Sequence, residues 1–163
     1  MKALLWISCW FAVSAPAANI SVNDLRCEYL VAPLAIDVDA PRLSWKIEDP
    51  RPGARGQTQT AYQILVASSA DLLSKDKGDL WNSRKVVSDQ QHQIAYAGAL
   101  LQSRMQCFWK VRIWDGNGKS STWSDTATWS MGLLSQEDWH AKWIGAKATL
   151  ADPQPQADGR LGF

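Results

Sequence analysis

An all-β sandwich is the fold this sequence predicts, on three observations. Short runs alternate apolar and polar residues with period two, as in RLSWKI at 42–47 and FWKVRIWD at 108–115. Clusters rich in Gly, Pro, Asp and Asn punctuate them, among them EDPRPGARG at 48–56 and DGNG at 115–118. The runs follow one another too closely for helices to alternate with them, which argues against a parallel strand-and-helix architecture.

The chain opens with MKALLWISCWFAVSAPAA, in which Lys2 precedes an apolar run to Val13 and then small residues. That order is the order of a secretory signal peptide, residues 1–17, with cleavage expected near Ala17. The run is too short to span a bilayer, and too little apolar sequence precedes Cys9 for a lipoprotein signal. The mature chain is therefore expected to be soluble and exported, to the periplasm or beyond the cell, with no membrane partner after cleavage.

From Leu25 the strand-like runs begin. In LRCEYL, Leu25, Cys27 and Tyr29 share the apolar phase and Arg26 and Glu28 the polar one. APLAIDVDAP carries the chain to Pro41, which starts RLSWKI with Leu43, Trp45 and Ile47 inward. A polar connection follows, its prolines and glycines barring any regular element and its Arg51 and Arg55 expected in solvent. TAYQILVAS turns Tyr62, Ile64 and Val66 inward. Ser69 is placed to N-cap a short helical turn through Leu73, and Gly78 to end whatever follows it, which allows one or two turns of helix. DLWNSRKVVS, HQIAYAG and MQCFWKVRIWD return to strand, with GALLQSR as a corner. Asp115–Gly118 is the strongest hairpin signal, because such residues tolerate positive φ, and TWSDTATWSM is the strand expected to pair back. About seven strands in about 110 residues is the immunoglobulin-like or fibronectin type III class of sandwich, here over residues 18–132. After Met131, GLLSQEDWHAKWIGA reads as a linker into a new apolar strand, Ala141 to Ile144, so residues 133–163 are expected to begin a second β domain.

Composition narrows the function classes. With 17 Lys and Arg against 16 Asp and Glu, the net charge of +1 offers no electrostatic case for a nucleic-acid partner. The two histidines, His92 and His140, lie near no cysteine, so neither a metal site nor a cofactor is expected. Cys27 and Cys107 fall on inward phases of one core, where a disulfide and a pair of buried reduced thiols are both open readings.

The unusual feature is ten tryptophans. Trp45, Trp109 and Trp129 belong to inward phases, each needing an acceptor for its indole N–H. In FWKVRIWD the outward phase holds Phe108, Lys110, Arg112 and Trp114. Two readings compete there. Trp114 and Trp123 could offer flat rings to a sugar, or Lys110 and Arg112 could stack on Trp123 as a structural cation–π ladder, each rung stabilising by about 0.5 to 1 kcal/mol. STWSDTATWS partly resembles the W-S-x-W-S signature of ladder-bearing cytokine-receptor domains, which favours the second reading.

Taken in order, LRCEYLVAPLAIDVDAPRLSWKI, RGQTQTAYQILVASS, GDLWNSRKV, FWKVRIWDGNGKSSTWS and DWHAKWIG resemble the N-terminal region of bacterial secreted α-L-rhamnosidases, from about Leu25 to Gly145. The resemblance implies a fibronectin-like domain, then a lectin-like β-sandwich, then a helical barrel with the catalytic carboxylates of an inverting glycosidase. It implies no cofactor, and it places both catalytic residues far beyond Phe163, so none is carried onto this chain; Glu28, Glu48 and Glu137 are read as solvated. Against a generic fibronectin pattern Leu101 takes the corner leucine, while Cys107 stands where a tyrosine commonly ties the corner down. The implied role is a non-catalytic support for downstream domains, with Trp139 and Trp143 at the junction. The alternative is a free-standing adhesive or carbohydrate-binding module for a rhamnose-containing glycan.

Overall fold

The computed structural model describes residues 20–142. The expected leader and the end of the expected second-domain strand lie outside them. In chain order the elements are β1 (Ser21–Cys27), β2 (Arg42–Glu48), β3 (Gln59–Ala67), α1 (Ala70–Ser74), β4 (Trp81–Asn82), β5 (Val86–Val87), β6 (Ile94–Ala95), β7 (Gln106–Asp115) and β8 (Ala127–Ser130). A single 3₁₀ turn, Gln136–Asp138, follows. One sheet has the order β1-β2-β6; the other runs β4-β3-β7-β8, with β5 also paired to β3. Every strand pair is antiparallel.

The sheets face each other across a core whose centre is Leu43 and Trp45 of β2, Ile64 and Val66 of β3, and Trp109 and Val111 of β7. Alternation accounts for β2 and β7. It does not account for β3, where Leu65 and Ala67 are buried as well. The reason is a second, smaller cluster: Leu73 of α1 covers that outer face, with Phe108 and Trp123 packed beside it.

Several expectations are corrected. Tyr29 leaves the inward phase and is 49% exposed. A bulge between Asn23 and Arg26 breaks the period, and left-handed φ values of 48° at Glu28 and 65° at Tyr29 turn the chain, closed by N–H···O exchange between Cys27 and Leu30. Ser69 caps α1 as expected, its Oγ accepting the Leu72 N–H at 3.3 Å, and the helix ends at Ser74; it is Asp76, at φ 57°, rather than Gly78 that makes the left-handed turn after it. DLWNSRKVVS is split into β4 and β5 at Arg84, φ 56°. The return strand after the hairpin is only Ala127–Ser130, so Trp123 lies outside it. The corner is tied by a tyrosine after all: Tyr96 Oη donates to the Ala99 carbonyl at 2.8 Å and reaches the Leu80 carbonyl at 3.2 Å. Trp45 donates to Gln59 Oε1 at 3.1 Å and Trp129 to Met131 Sδ at 3.2 Å, whereas buried Trp109 Nε1 makes no hydrogen bond. Trp81 packs edge-on against Tyr96, ring centroids 5.4 Å apart.

Candidate functional site: a stack of cations and indoles on β7

The outward side of β7 is built by its register. Arg112 stands opposite Gln63 of β3, and Lys110 opposite Leu65. Gln63 Oε1 accepts from Arg112 Nε and Nη2 at 3.0 and 2.7 Å, which fixes the guanidinium. Lys110 is buried and forms an ion pair with Asp76, the residue that turns the chain after α1.

On the other side of β7 the chain does not form a regular ladder. Ser121 N donates to the Ile113 carbonyl at 2.8 Å, while Ser121 Oγ accepts the Ile113 N–H at 3.1 Å. Three residues on, Ser124 repeats the pair with Val111, at 2.9 and 3.1 Å. Each hydroxyl in turn donates a hydrogen bond to the next carbonyl, of Thr122 at 2.7 Å and of Asp125 at 2.9 Å. Two serines thus satisfy β7 backbone groups that a strand would satisfy, and their stride brings Trp123 outward against the cations.

Lys110 Nζ lies 5.0 Å from the Trp123 centroid and the Arg112 guanidinium 4.6 Å. Arg112 is also 5.3 Å from the Trp114 centroid, and Lys85 covers Trp114 at 4.6 Å. The order is Lys85, Trp114, Arg112, Trp123, Lys110. Trp114 and Trp123 are half-buried within it. A pyranose stacks on an open ring face, and here cations already occupy the neighbourhood of both indoles. Lys85, Gln63 and Asp76 are the members that sequence reasoning missed. Gln63 was accessible to it, being on the outward phase of a strand already assigned; Lys85 falls where DLWNSRKVVS, read as one strand, breaks between β4 and β5, and Asp76 comes from the turn after α1.

Elsewhere several ionisable groups are held by burial or by partners within the fold. Cys27 and Cys107 are buried free thiols, each pushed up to about 12 by burial, and so unreactive near neutral pH. Hydrogen bonds from Lys46 and then Arg26 hold Asp24 low, Arg42 holds Glu28 low, and Arg51 takes Asp49 to about 2. A polar cavity of about 390 Å³ opens between Arg51, Gln57 and the Asp115–Lys119 turn. Its carboxylate is spent on the turn, accepting the Asn117 and Lys119 N–H groups at 2.9 and 2.8 Å. Among the described residues no group of three His, Cys, Asp or Glu side chains could hold a metal ion.

The description "Rha78A-like, N-terminal immunoglobulin domain" matches residues 22–135. The chain belongs to this family. An α-L-rhamnosidase of Streptomyces avermitilis is 46% identical over 140 residues, 86% of this chain and 13% of that protein. One from Alteromonas sp. is 39% identical over 150 residues, 89% of this chain and 16% of that one. Among solved structures, the α-L-rhamnosidase of Dictyoglumus thermophilum superposes with TM-score 0.72 at 39% identity, covering 78% of this chain and 14% of that chain. The Streptomyces avermitilis enzyme complexed with L-rhamnose gives TM-score 0.71 at 44% identity, covering 78% and 12%. This immunoglobulin-like domain thus corresponds to the N-terminal region of α-L-rhamnosidases and spans between 12% and 16% of the length of these relatives.

Proposed function

We propose that the chain is the non-catalytic N-terminal module of an exported α-L-rhamnosidase, a rigid β support for the domains that hydrolyse terminal α-L-rhamnosyl groups. The observation that carries this reading is the match of residues 22–135 to a family of N-terminal immunoglobulin domains whose relatives are α-L-rhamnosidases. Carboxyl chemistry supports it. Inverting hydrolysis needs two carboxyl groups about 6.5 to 9.5 Å apart, one kept protonated near neutral pH. Asp24, Glu28, Asp49, Asp79 and Asp138 are all shifted the opposite way, toward stronger acids. The leader-like order of residues 1–17 supports export, to the periplasm or the medium.

The test is direct. Purified residues 18–163, assayed with p-nitrophenyl α-L-rhamnopyranoside from about pH 4 to about pH 8, should release no p-nitrophenol above the buffer rate. Turnover that co-purifies with the chain and is lost in Glu28→Gln would overturn the non-catalytic reading. Saturable binding of a rhamnose-containing glycan, lost in Trp123→Ala, would replace it with a carbohydrate-binding module.

A further inference from the structure

Residues 29–35 read YLVAPLA, without a charge. Leu30 is 57% exposed, Val31 66% and Leu34 81%. Apolar side chains this open in one short loop form a patch that a partner would cover.

The loop is held rather than loose. Cys27 and Leu30 exchange backbone hydrogen bonds at 3.0 and 2.9 Å. The Arg42 fork grips the Glu28 carboxylate and lies over the Tyr29 ring at 5.4 Å. At the far end Ser130 N donates to the Pro33 carbonyl at 3.0 Å, Ile36 N to the Ser130 carbonyl at 2.9 Å, and Ala35 N to Ser130 Oγ at 3.2 Å. Between these anchors Tyr29, Ala32 and Ala35 sit at left-handed φ values of 65°, 47° and 58°, a conformation that side chains other than glycine resist. A pinned, strained loop that shows leucines to solvent has met in advance the ordering cost of an interface.

The exit of the chain points to the occupant. Gly132 N donates to the Ile36 carbonyl at 2.7 Å, and a Cβ on Gly132 would stand 3.0 Å from the Ala35 carbonyl oxygen, so the polypeptide leaves the sandwich alongside this loop. In the longer relatives most of the protein lies outside the matched region. We infer that the loop of residues 29–34 is the seat on which the downstream part of the same polypeptide docks, through an uncharged apolar surface of its own. This rests on the rhamnosidase-module reading.

The experiment grafts this chain into the Streptomyces avermitilis α-L-rhamnosidase in place of the matching N-terminal region, with the native loop and with Leu30→Ser and Leu34→Ser together. The isolated chain carrying both substitutions should melt as the native chain does, since both side chains already face water. In the chimera the same pair should lower the melting midpoint by several degrees and speed proteolysis at the junction. A chimera whose melting and proteolysis ignore the substitutions overturns the seat, as does a loss of stability in the isolated chain. Sedimentation showing a dimer of the isolated chain that the substitutions abolish overturns it in favour of a second copy. A native-loop chimera that neither folds nor hydrolyses rhamnoside overturns the module reading itself, and the seat with it.

Discussion

Arg112 is the residue on which the outer face of β7 turns: its guanidinium is fixed by Gln63 and lies 5.3 Å and 4.6 Å from two indole centroids. Removing Trp123 takes away area and two cation contacts together, so Trp123→Ala should lower stability by about 1 to 2 kcal/mol in denaturant melts. An unchanged midpoint would show that the stack does not support the fold. Period-two reading brings Lys110, Arg112 and Trp114 to one face from sequence alone, because β7 is regular. It cannot supply Lys85 or Asp76, which arrive from the break between β4 and β5 and from the turn after α1. Titration belongs to this scale too. Asp24, Glu28, Asp49 and Asp138 bind protons more weakly folded than unfolded, so the unfolded state takes up more protons as pH falls below about 4. Their stabilisation is present above that value and should disappear toward about 2, where Asp49 itself titrates. Cys27, Cys107 and Tyr96 shift upward by burial, so their stabilisation is present below the unfolded values and should fade from about 9 toward about 12. Denaturant midpoints measured across the scale should therefore fall at both ends, and a flat acid limb would mean that the surface ion pairs form in the unfolded chain as well.

At the scale of elements, the strands that read clearly from the sequence are those with one buried face. RLSWKI and MQCFWKVRIWD alternate, and they become β2 and β7. β3 keeps its predicted inward set, but α1 buries its other face, and nothing in TAYQILVAS announces that cover. The segment from Ser121 to Ser124 is the clearest case of a hydrogen-bond plan hidden from periodicity. Its serines serve β7 on a stride of three, so it looks like a strand in composition while making no ladder. Ser121→Ala would leave the buried Ile113 N–H without its acceptor, at a cost of about 1 to 3 kcal/mol. Amide exchange at Ile113 should quicken in that variant, and at Val111 in Ser124→Ala. If both amides exchange at the native rate, the hydroxyls are incidental to the fold.

For the whole molecule, the two sheets and their all-antiparallel pairing follow from the alternation, but the closure of the sandwich does not. APLAIDVDAP carries no period, yet Ile36 makes a parallel bridge to Met131 and brings the end of the domain beside its beginning. From there the exit is latched. Arg104 N donates to the Gly132 carbonyl at 2.9 Å, and Ser103 Oγ accepts the Leu134 N–H at 2.8 Å while bonding the Asp138 carboxylate. Arg104 Nη2 holds the Asp138 carbonyl at 2.8 Å, and Asp138 Oδ2 accepts the Ser135 N–H at 3.2 Å, closing a capping box. Asp138 is therefore the knot of the exit segment, with its acidity raised first by the Ser103 bond. Asp138 itself bonds only to Ser103, Arg104 and Ser135, none of them a residue of the hydrophobic core, so Asp138→Ala should change global stability by no more than about 1 kcal/mol. It should instead free residues 133–142: amide exchange at Leu134 and Ser135 should rise at least about tenfold, the change that loss of about 1.4 kcal/mol of local opening free energy gives. Chymotrypsin should then cut first at Trp139, which is already 60% exposed. Lowering the pH of the native chain beneath the ordinary carboxylate range should begin to reproduce the variant, because protonating Asp138, whose acidity the fold strengthens, weakens the same bonds. Exchange and cleavage unchanged in Asp138→Ala would show that the exit is held by something other than this carboxylate, and a collapse of the global melt would show that the latch belongs to the core.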